Sequence, residues 1–446
     1  MDHDTDMQQA ETTDEATESE TAAPRKPRRK LVVIGCLVPA VVLVLLAVII
    51  VVSVSRQRAG WRKQAAPNKG QPEWVPDGMR FVPWASPGIS YDGPGTIVAY
   101  MQRGCREGEG MADPLGGVTA TGKGIRCREG FPSRMVAGPR DMFIHLPAGY
   151  EETTDKLPLI VAFHGFGQRP GHAIYAFAKA LDEAQQAGRL PATITVFPDS
   201  SLGGNGLDDL STPWDENGGS WGVNSNVGRF ADHFTQEIMP YLLETYRISD
   251  KPGDTVLLGG SMGGMMAINY MLDDPRRFPN VGAFYPGLDL RYSCGGDNRL
   301  ADYSPDCYQP ITKDRPNRKM TTHEGIRGRL FVERMFLHPV FDSDKLGGPV
   351  WTDEKAVWER VRDNNPVDRL RAEKPDLRGV HIWYLVGDKD DFNIDAQRFE
   401  FDKLVTAAGA TLYPEAHVRP GRHDMPFFNK HLREAINWMN QRFQAK

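Results

Sequence analysis

The chain has 446 residues, 53 Lys and Arg against 58 Asp and Glu, and a net charge of −5. That balance excludes the strongly basic footprint of a nucleic-acid binder, and the length accommodates one large α/β domain with extra segments. The five cysteines include no C-x-x-C spacing, which excludes the usual zinc-site patterns.

The first twenty residues carry eight acidic side chains, from Asp2 to Glu20, with no Lys or Arg. Such a tract buries too little apolar surface to fold, so residues 1–30 are expected to form a disordered tail. It ends in the basic cluster Arg25, Lys26, Arg28, Arg29 and Lys30, and the run from Leu31 to Val54 that follows contains no charge. A membrane helix needs about 20 apolar residues. A cleaved signal peptide is the alternative, but this run starts late, is too long and lacks a small-residue cleavage site. It reads as a single transmembrane signal anchor. Arg56, Arg58, Arg62 and Lys63 flank its other end. The richer N-terminal cluster favours a cytoplasmic tail, with the C-terminal portion outside the plasma membrane. Residues 55–78 are polar and proline-bearing, a tether.

Residues 79–139 read as an N-terminal extension, with short strands such as Thr96 to Met101. Cys36 lies within the apolar run, which leaves Cys105, Cys127, Cys294 and Cys307 in the C-terminal portion. An even number suits an oxidising compartment. Of the three possible pairings, Cys105–Cys127 and Cys294–Cys307 each close a short glycine-rich loop, against free thiols as the plainer alternative.

From Met142 onward, strand-like and helix-like segments alternate, as in a mostly parallel sheet with helices on both faces. The apolar run Leu157 to Phe163 suits a central strand and ends in His164-Gly165-Phe166-Gly167. Glycines there let the main chain approach a ligand, and the Phe166 N–H is a candidate oxyanion donor. His164 is a candidate substrate contact, against a structural role in the turn. The loop from Ser201 to Asn226 holds Trp214 and Trp221. Either is a candidate for stacking on a sugar or aromatic acid, against ordinary packing.

Thr255 to Gly264 reads as a strand, a sharp turn and the start of a helix. Gly259-Gly260-Ser261-Met262-Gly263 satisfies G-x-S-x-G, with Ser261 at the apex. Glycines on either side let strand and helix pack closely, and the serine hydroxyl stands at a helix N-terminus. The Met262 N–H is the second candidate oxyanion donor. In a chain with 45 glycines the pattern alone is weak, and the strand and helix around it give it weight. Residues 291–351 form a cap-like insertion, whose scattered aspartates do not match an EF-hand.

The strand-like Val380 to Val386 precedes Gly387-Asp388-Lys389-Asp390-Asp391. Asp390 is favoured as the acid that orients a histidine, Asp391 is its rival, and Asp388 reads as a turn residue. His423, in Gly421-Arg422-His423-Asp424, lies just before a C-terminal helix running to about Trp438, with His417 and His431 as local rivals. The chain order Ser261, Asp390, His423 is that of the α/β-hydrolases.

Met142 to Tyr150, the His164 loop, Val196-Phe197-Pro198-Asp199 and Phe230 to Tyr246, with the three motifs around Ser261, Asp390 and His423, carry a resemblance. From about Arg140 the chain resembles the esterase D / feruloyl-esterase branch of the α/β-hydrolase superfamily, a branch related to the antigen 85 mycolyltransferases. The resemblance implies an α/β-hydrolase domain over residues 140–446. It also implies ester hydrolysis through an acyl-enzyme, with Ser261, Asp390 and His423 on the matching positions and no cofactor. The expected substrate is a small-molecule or glycan ester, acylated or feruloylated carbohydrate among them. Acyl transfer to a cell-envelope sugar by the same triad is the nearest alternative. A prolyl-oligopeptidase-like peptidase lacks its β repeats here, and a non-catalytic surface-binding relative would not need an intact triad. No oligomeric state follows from the sequence.

Overall fold

The structure, a computed structural model, describes residues 93–101, 125–136, 140–166, 168, 170–201, 219–225, 228–290, 361–390, 392 and 394–445, together with Val48. Contacts divide the chain into Met1–Ser55 and Arg56–Lys446, and of the first unit only the exposed helical residue Val48 is described. The expected tail and tether, the span apart from Val48, the cap insertion and the residues Trp214, Cys105, Cys294, Cys307 and Asp391 lie outside the described residues. Among those that are described, no helix is long and apolar enough to cross a membrane.

A ten-stranded sheet forms the centre of the second unit. Six neighbouring strands run parallel: β4 (Leu159–Phe163), β5 (Ile194–Pro198), β8 (Thr255–Gly260), β9 (Asn280–Phe284), β10 (His381–Gly387) and β11 (Thr411–Tyr413). Their order across the sheet is β11-β10-β9-β8-β4-β5, with β12 (Val418–Arg419) pairing the end of β10. Beyond β5 come β3 (Met142–Leu146), which runs antiparallel, then β1 (Thr96–Met101) and β2 (Ile125–Glu129). The N-terminal extension therefore continues the sheet, with Ala99 opposite Cys127. A short hairpin of β6 (Asn224–Ser225) and β7 (Gly228–Arg229) stands apart.

The near-continuous apolar strands follow from coverage of both faces. All five residues of β4, Leu-Ile-Val-Ala-Phe, are buried. Pro158 has no N–H to give a ladder, so the strand begins at Leu159 and Leu157 makes only an isolated bridge to Ile248.

Helix α1 (Pro170–Gln186) follows β4, and a continuous helical segment, α2, covers residues 230–245 with a π turn at His233–Ile238. The π turn ends just before Pro240, which has no N–H to continue the α-helical ladder; Met239 donates to Phe234 O, five residues back. Helix α3 (Met262–Asp273) follows β8, and α4 (Pro366–Glu373), α5 (Ile394–Ala407) and α6 (Met425–Gln444) complete the described set. Adjacent residues of β8 show that the helices cover opposite faces. A Cβ on Gly259 would lie 2.3 Å from the Gly263 backbone of α3, whereas Gly282, paired with Leu258, faces Trp438 of α6. Helix α6 continues past Trp438 to Gln444, because its apolar face keeps finding the sheet through Ile436, Trp438 and Met439. The chain passes from strand to loop at the carboxyl ends of β4, β5, β8 and β10 within one neighbourhood, which is where open α/β sheets form their sites.

Candidate active site

Ser261 sits between β8 and α3 at φ 56°, ψ −121°, a conformation that costs an L-residue free energy. Neighbouring elements hold it there. Its N–H donates to Phe284 O at 2.9 Å, and its carbonyl accepts from Met265 N at 3.1 Å. The glycines around it are required by contact: a Cβ on Gly263 would come within 2.4 Å of Phe163 O. The strained turn therefore depends on β4, β8 and α3 meeting without side chains between them.

The loop after β4 is pinned from both ends. His164 Nε2 accepts from Ser200 N at 2.9 Å, which leaves the proton on Nδ1, 3.0 Å from Gly165 O. The Gln168 side chain accepts from Gly165 N at 2.9 Å, so that N–H is occupied. No acceptor among the described residues takes the Phe166 or Met262 N–H. The side chains of both lie against the returning segment at Gly219, where a Cβ would strike the Met262 sulfur at 2.1 Å and the Phe166 ring at 3.3 Å.

Behind this loop lies a buried ion pair, Arg140 Nη2 to Asp199 Oδ2 at 3.4 Å, with Arg140 also donating to Ser201 O at 2.6 Å. Burial would raise the Asp199 carboxyl, but the Arg140 guanidinium beside it outweighs this and holds the group well below the usual carboxylate range. Removing one partner of such a pair leaves a buried charge uncompensated, at about 3–5 kcal/mol. The network anchors the ends of β3, β4 and β5 under the site.

Asp390, three residues past Gly387, is fully buried. Its Oδ1 accepts from Phe392 N at 2.8 Å and from Ile394 N at 3.4 Å, so the carboxylate also holds the start of α5. Its Oδ2 lies 2.9 Å from His423 Nδ1. The loop that carries His423 is drawn against the end of β10. Asp388 accepts from Gly421 N at 3.0 Å, Lys389 N donates to Gly421 O at 3.0 Å, and a Cβ on Gly387 would come within 2.4 Å of Gly421 O. Asp388 is thus a tie between two loops, a part that its turn-like setting in the sequence did not reveal. Asp424 accepts from Phe427 N at 2.9 Å and caps α6, which sets the exit direction of the same loop.

Ser261, His423, Gly165, Phe166, Gln168 and Tyr285 line one cavity of about 190 Å³. Its remaining wall mixes apolar side chains, Ala173, Ala176 and Phe177 of α1 and Met425 and Phe428 of α6, with the polar His164 and Asp424. Of the other sequence candidates, His164 also lines it, with both ring nitrogens engaged in the turn. Trp221 is not brought there. It is buried, at a positive φ of 57°, with its ring 5.8 Å from Phe166. The rival histidines lie elsewhere: His417 stacks on Tyr384 at 4.0 Å in the core, and His431 pairs with Glu434 on α6. Burial lowers the pKa of both. Cys127 lies on β2, and its proposed partner is outside the described residues. Tyr285 and Phe392, both against His423, carry no motif and were not legible in the sequence.

The family described as "Putative esterase" matches residues 133–439. Among solved structures, the chain is similar to a ferulic acid esterase at 19% identity, covering 70% of this chain and 95% of that one, with a TM-score of 0.48. An S-formylglutathione hydrolase from Agrobacterium tumefaciens is similar at 16% identity over 70% of this chain and 92% of that one, again with a TM-score of 0.48. A fluorophosphonate-binding serine hydrolase of Staphylococcus aureus is similar at 13% identity over 69% of this chain and 94% of that one, with a TM-score of 0.42. No curated protein sequence matches. With the family's match running from the segment before β3 to the last turns of α6, the chain belongs to this esterase family and is an enzyme of ester hydrolysis.

Proposed function

We propose that the enzyme hydrolyses carboxylic esters through an acyl-enzyme on Ser261, with His423 as general base and Asp390 as its orienting acid. One observation carries the reading: the strained serine and His423 share a cavity, and the imidazole's far nitrogen meets a fully buried carboxylate at 2.9 Å. His423 Nε2 takes the Ser261 proton as Oγ bonds to the ester carbonyl carbon. The oxyanion is held by the N–H groups of Phe166 and Met262. Collapse breaks the bond to the alkoxy oxygen, which leaves as the alcohol with the proton from His423. Water, deprotonated by the same imidazole, then attacks the acyl carbonyl, releasing the acid and restoring Ser261.

The substrate we propose is an acylated or feruloylated carbohydrate or a small ester, on the strength of the sequence resemblance and of a cavity beside the serine whose wall joins apolar side chains of α1 and α6 to a few polar groups. Transfer of the acyl group to a cell-envelope sugar uses the same first half-reaction and differs only in the second nucleophile. The test is labelling of the full chain by a fluorophosphonate probe, followed by a panel of p-nitrophenyl acyl esters and acylated sugars with and without a free sugar acceptor. Probe labelling with release of free acid supports hydrolysis. Acylated acceptor in place of acid would shift the reading to transfer, and absence of labelling in folded protein would sink both.

We further propose that the uncharged run from Leu31 to Val54 anchors the enzyme in the plasma membrane with the esterase domain outside, supported by the basic clusters at its ends. Protease added to intact cells is then expected to remove the esterase domain and spare the acidic tail. An esterase domain left intact would reverse the orientation, and with it the case for the two disulfides.

A further inference from the structure

Tyr285 occupies a position that a tyrosine does not adopt without cause. It follows the last residue of β9 at φ 39°, a left-handed conformation that is unfavourable for a bulky side chain. The conformation is fixed from outside the residue, since its N–H donates to Leu385 O on β10 at 2.7 Å. Strain retained at a site is a reason to ask what the side chain does there.

Its ring meets His423. The two ring centroids are 4.1 Å apart with planes inclined by 38°, closer than any other ring of the site approaches the imidazole. Phe392 meets the same imidazole edge-on, 4.8 Å between centroids and 75° between planes. The tyrosine hydroxyl has no hydrogen-bond partner among the described residues, so the contact is made by the ring. Burial, and then the charges of Asp390 and Asp424, push the phenol's pKa well up, so the group beside the imidazole is a neutral ring. The ring also lies against the elbow: a Cβ on Gly260 would sit 3.4 Å from Tyr285 Cε2, in ordinary van der Waals contact.

An imidazole held only by one hydrogen bond to Asp390 remains free to rotate about that bond. A ring against its face and another at its edge remove that freedom, leaving Nε2 directed by the clamp while Nδ1 keeps its carboxylate. The aromatic face also suits the imidazolium that forms when the serine proton is taken. We propose that Tyr285 is a positioning residue for His423, its ring, with Phe392, clamping the imidazole in the orientation in which it can serve Ser261. The inference rests on His423 being the general base.

The test is Tyr285→Leu beside Tyr285→Phe in the full chain, with kcat, KM and the proton NMR resonance of the Nδ1–H shared with Asp390. The leucine variant is expected to lose about tenfold to a hundredfold in kcat, with KM changed by no more than about twofold, and its downfield resonance is expected to broaden. Phenylalanine, which keeps the ring at equal backbone strain, is expected to restore both. Methionine, unbranched and able to fill the space, gives the same reading if the leucine variant does not fold. A leucine or methionine variant with wild-type turnover and a sharp resonance overturns the clamp. Equal loss in the phenylalanine variant overturns it too, because the role would then belong to the hydroxyl. The underlying reading fails separately: His423→Ala with wild-type turnover would remove the base, whereas an inactive His423→Ala beside an unaffected Tyr285→Leu would remove only the clamp.

Discussion

Ser261→Ala is expected to lower kcat for ester hydrolysis by about 10⁴- to 10⁶-fold and to abolish fluorophosphonate labelling. The loss is that large because Ser261 is the one hydroxyl-bearing residue of Gly259–Gly263, and the proposed oxyanion donors that remain can only assist an attacking water. Stability should change little. Serine and alanine suffer similarly at φ 56°, and the backbone bonds of residue 261 to Phe284 and Met265 do not involve the side chain. The measurement is steady-state turnover of a p-nitrophenyl ester together with thermal unfolding. Turnover near wild type in a protein that melts normally would take the nucleophile's role from Ser261.

Asp390→Asn is expected to reduce kcat by about 10⁴-fold through the tautomer of the histidine. The side-chain oxygen can still accept from Phe392 N and Ile394 N, so the start of α5 stays in place. The amide NH₂ then faces His423 Nδ1 where Oδ2 stood, 2.9 Å away. It can only donate, so the imidazole must turn its lone pair to Nδ1 and carry its proton on Nε2, where it cannot accept from Ser261. The neighbouring aspartates separate the explanations. Asp388→Asn keeps an acceptor for Gly421 N and is expected to cost no more than about tenfold, and Asp391→Asn is expected to cost a similar or smaller factor. Turnover assays on the three variants, with unfolding to confirm a native fold, decide the ranking. A larger loss in Asp391→Asn than in Asp390→Asn would move the acid by one residue.

Several strands and the elbow were legible from residue order because their signals are local. Leu159 to Phe163 is apolar at every position since both faces of a parallel strand are covered. Gly259 and Gly263 have no Cβ since strand and helix meet at a distance that admits none. Patterns of this kind are written within a few consecutive residues.

What only the tertiary structure decided involves segments far apart in the chain. Asp388, Asp390 and Asp391 lie within four consecutive residues of the sequence. The approach of the Gly421 loop to Gly387 directs Asp388 to a backbone N–H and leaves Asp390 facing the imidazole. In sequence Trp221 could be a stacking contact or ordinary packing; it lies buried beside Phe166, because the segment from Gly219 returns against Phe166 and Met262. Tyr285 has no motif at all. Its place against His423 follows from β9 and β10 being neighbours and from a backbone bond across them, joining residues 100 positions apart. Local sequence sets where the chain turns and what it can bury. Which side chain then faces the cavity is set by the register and approach of loops that the sequence lists separately, and that information exists only once the sheet has formed.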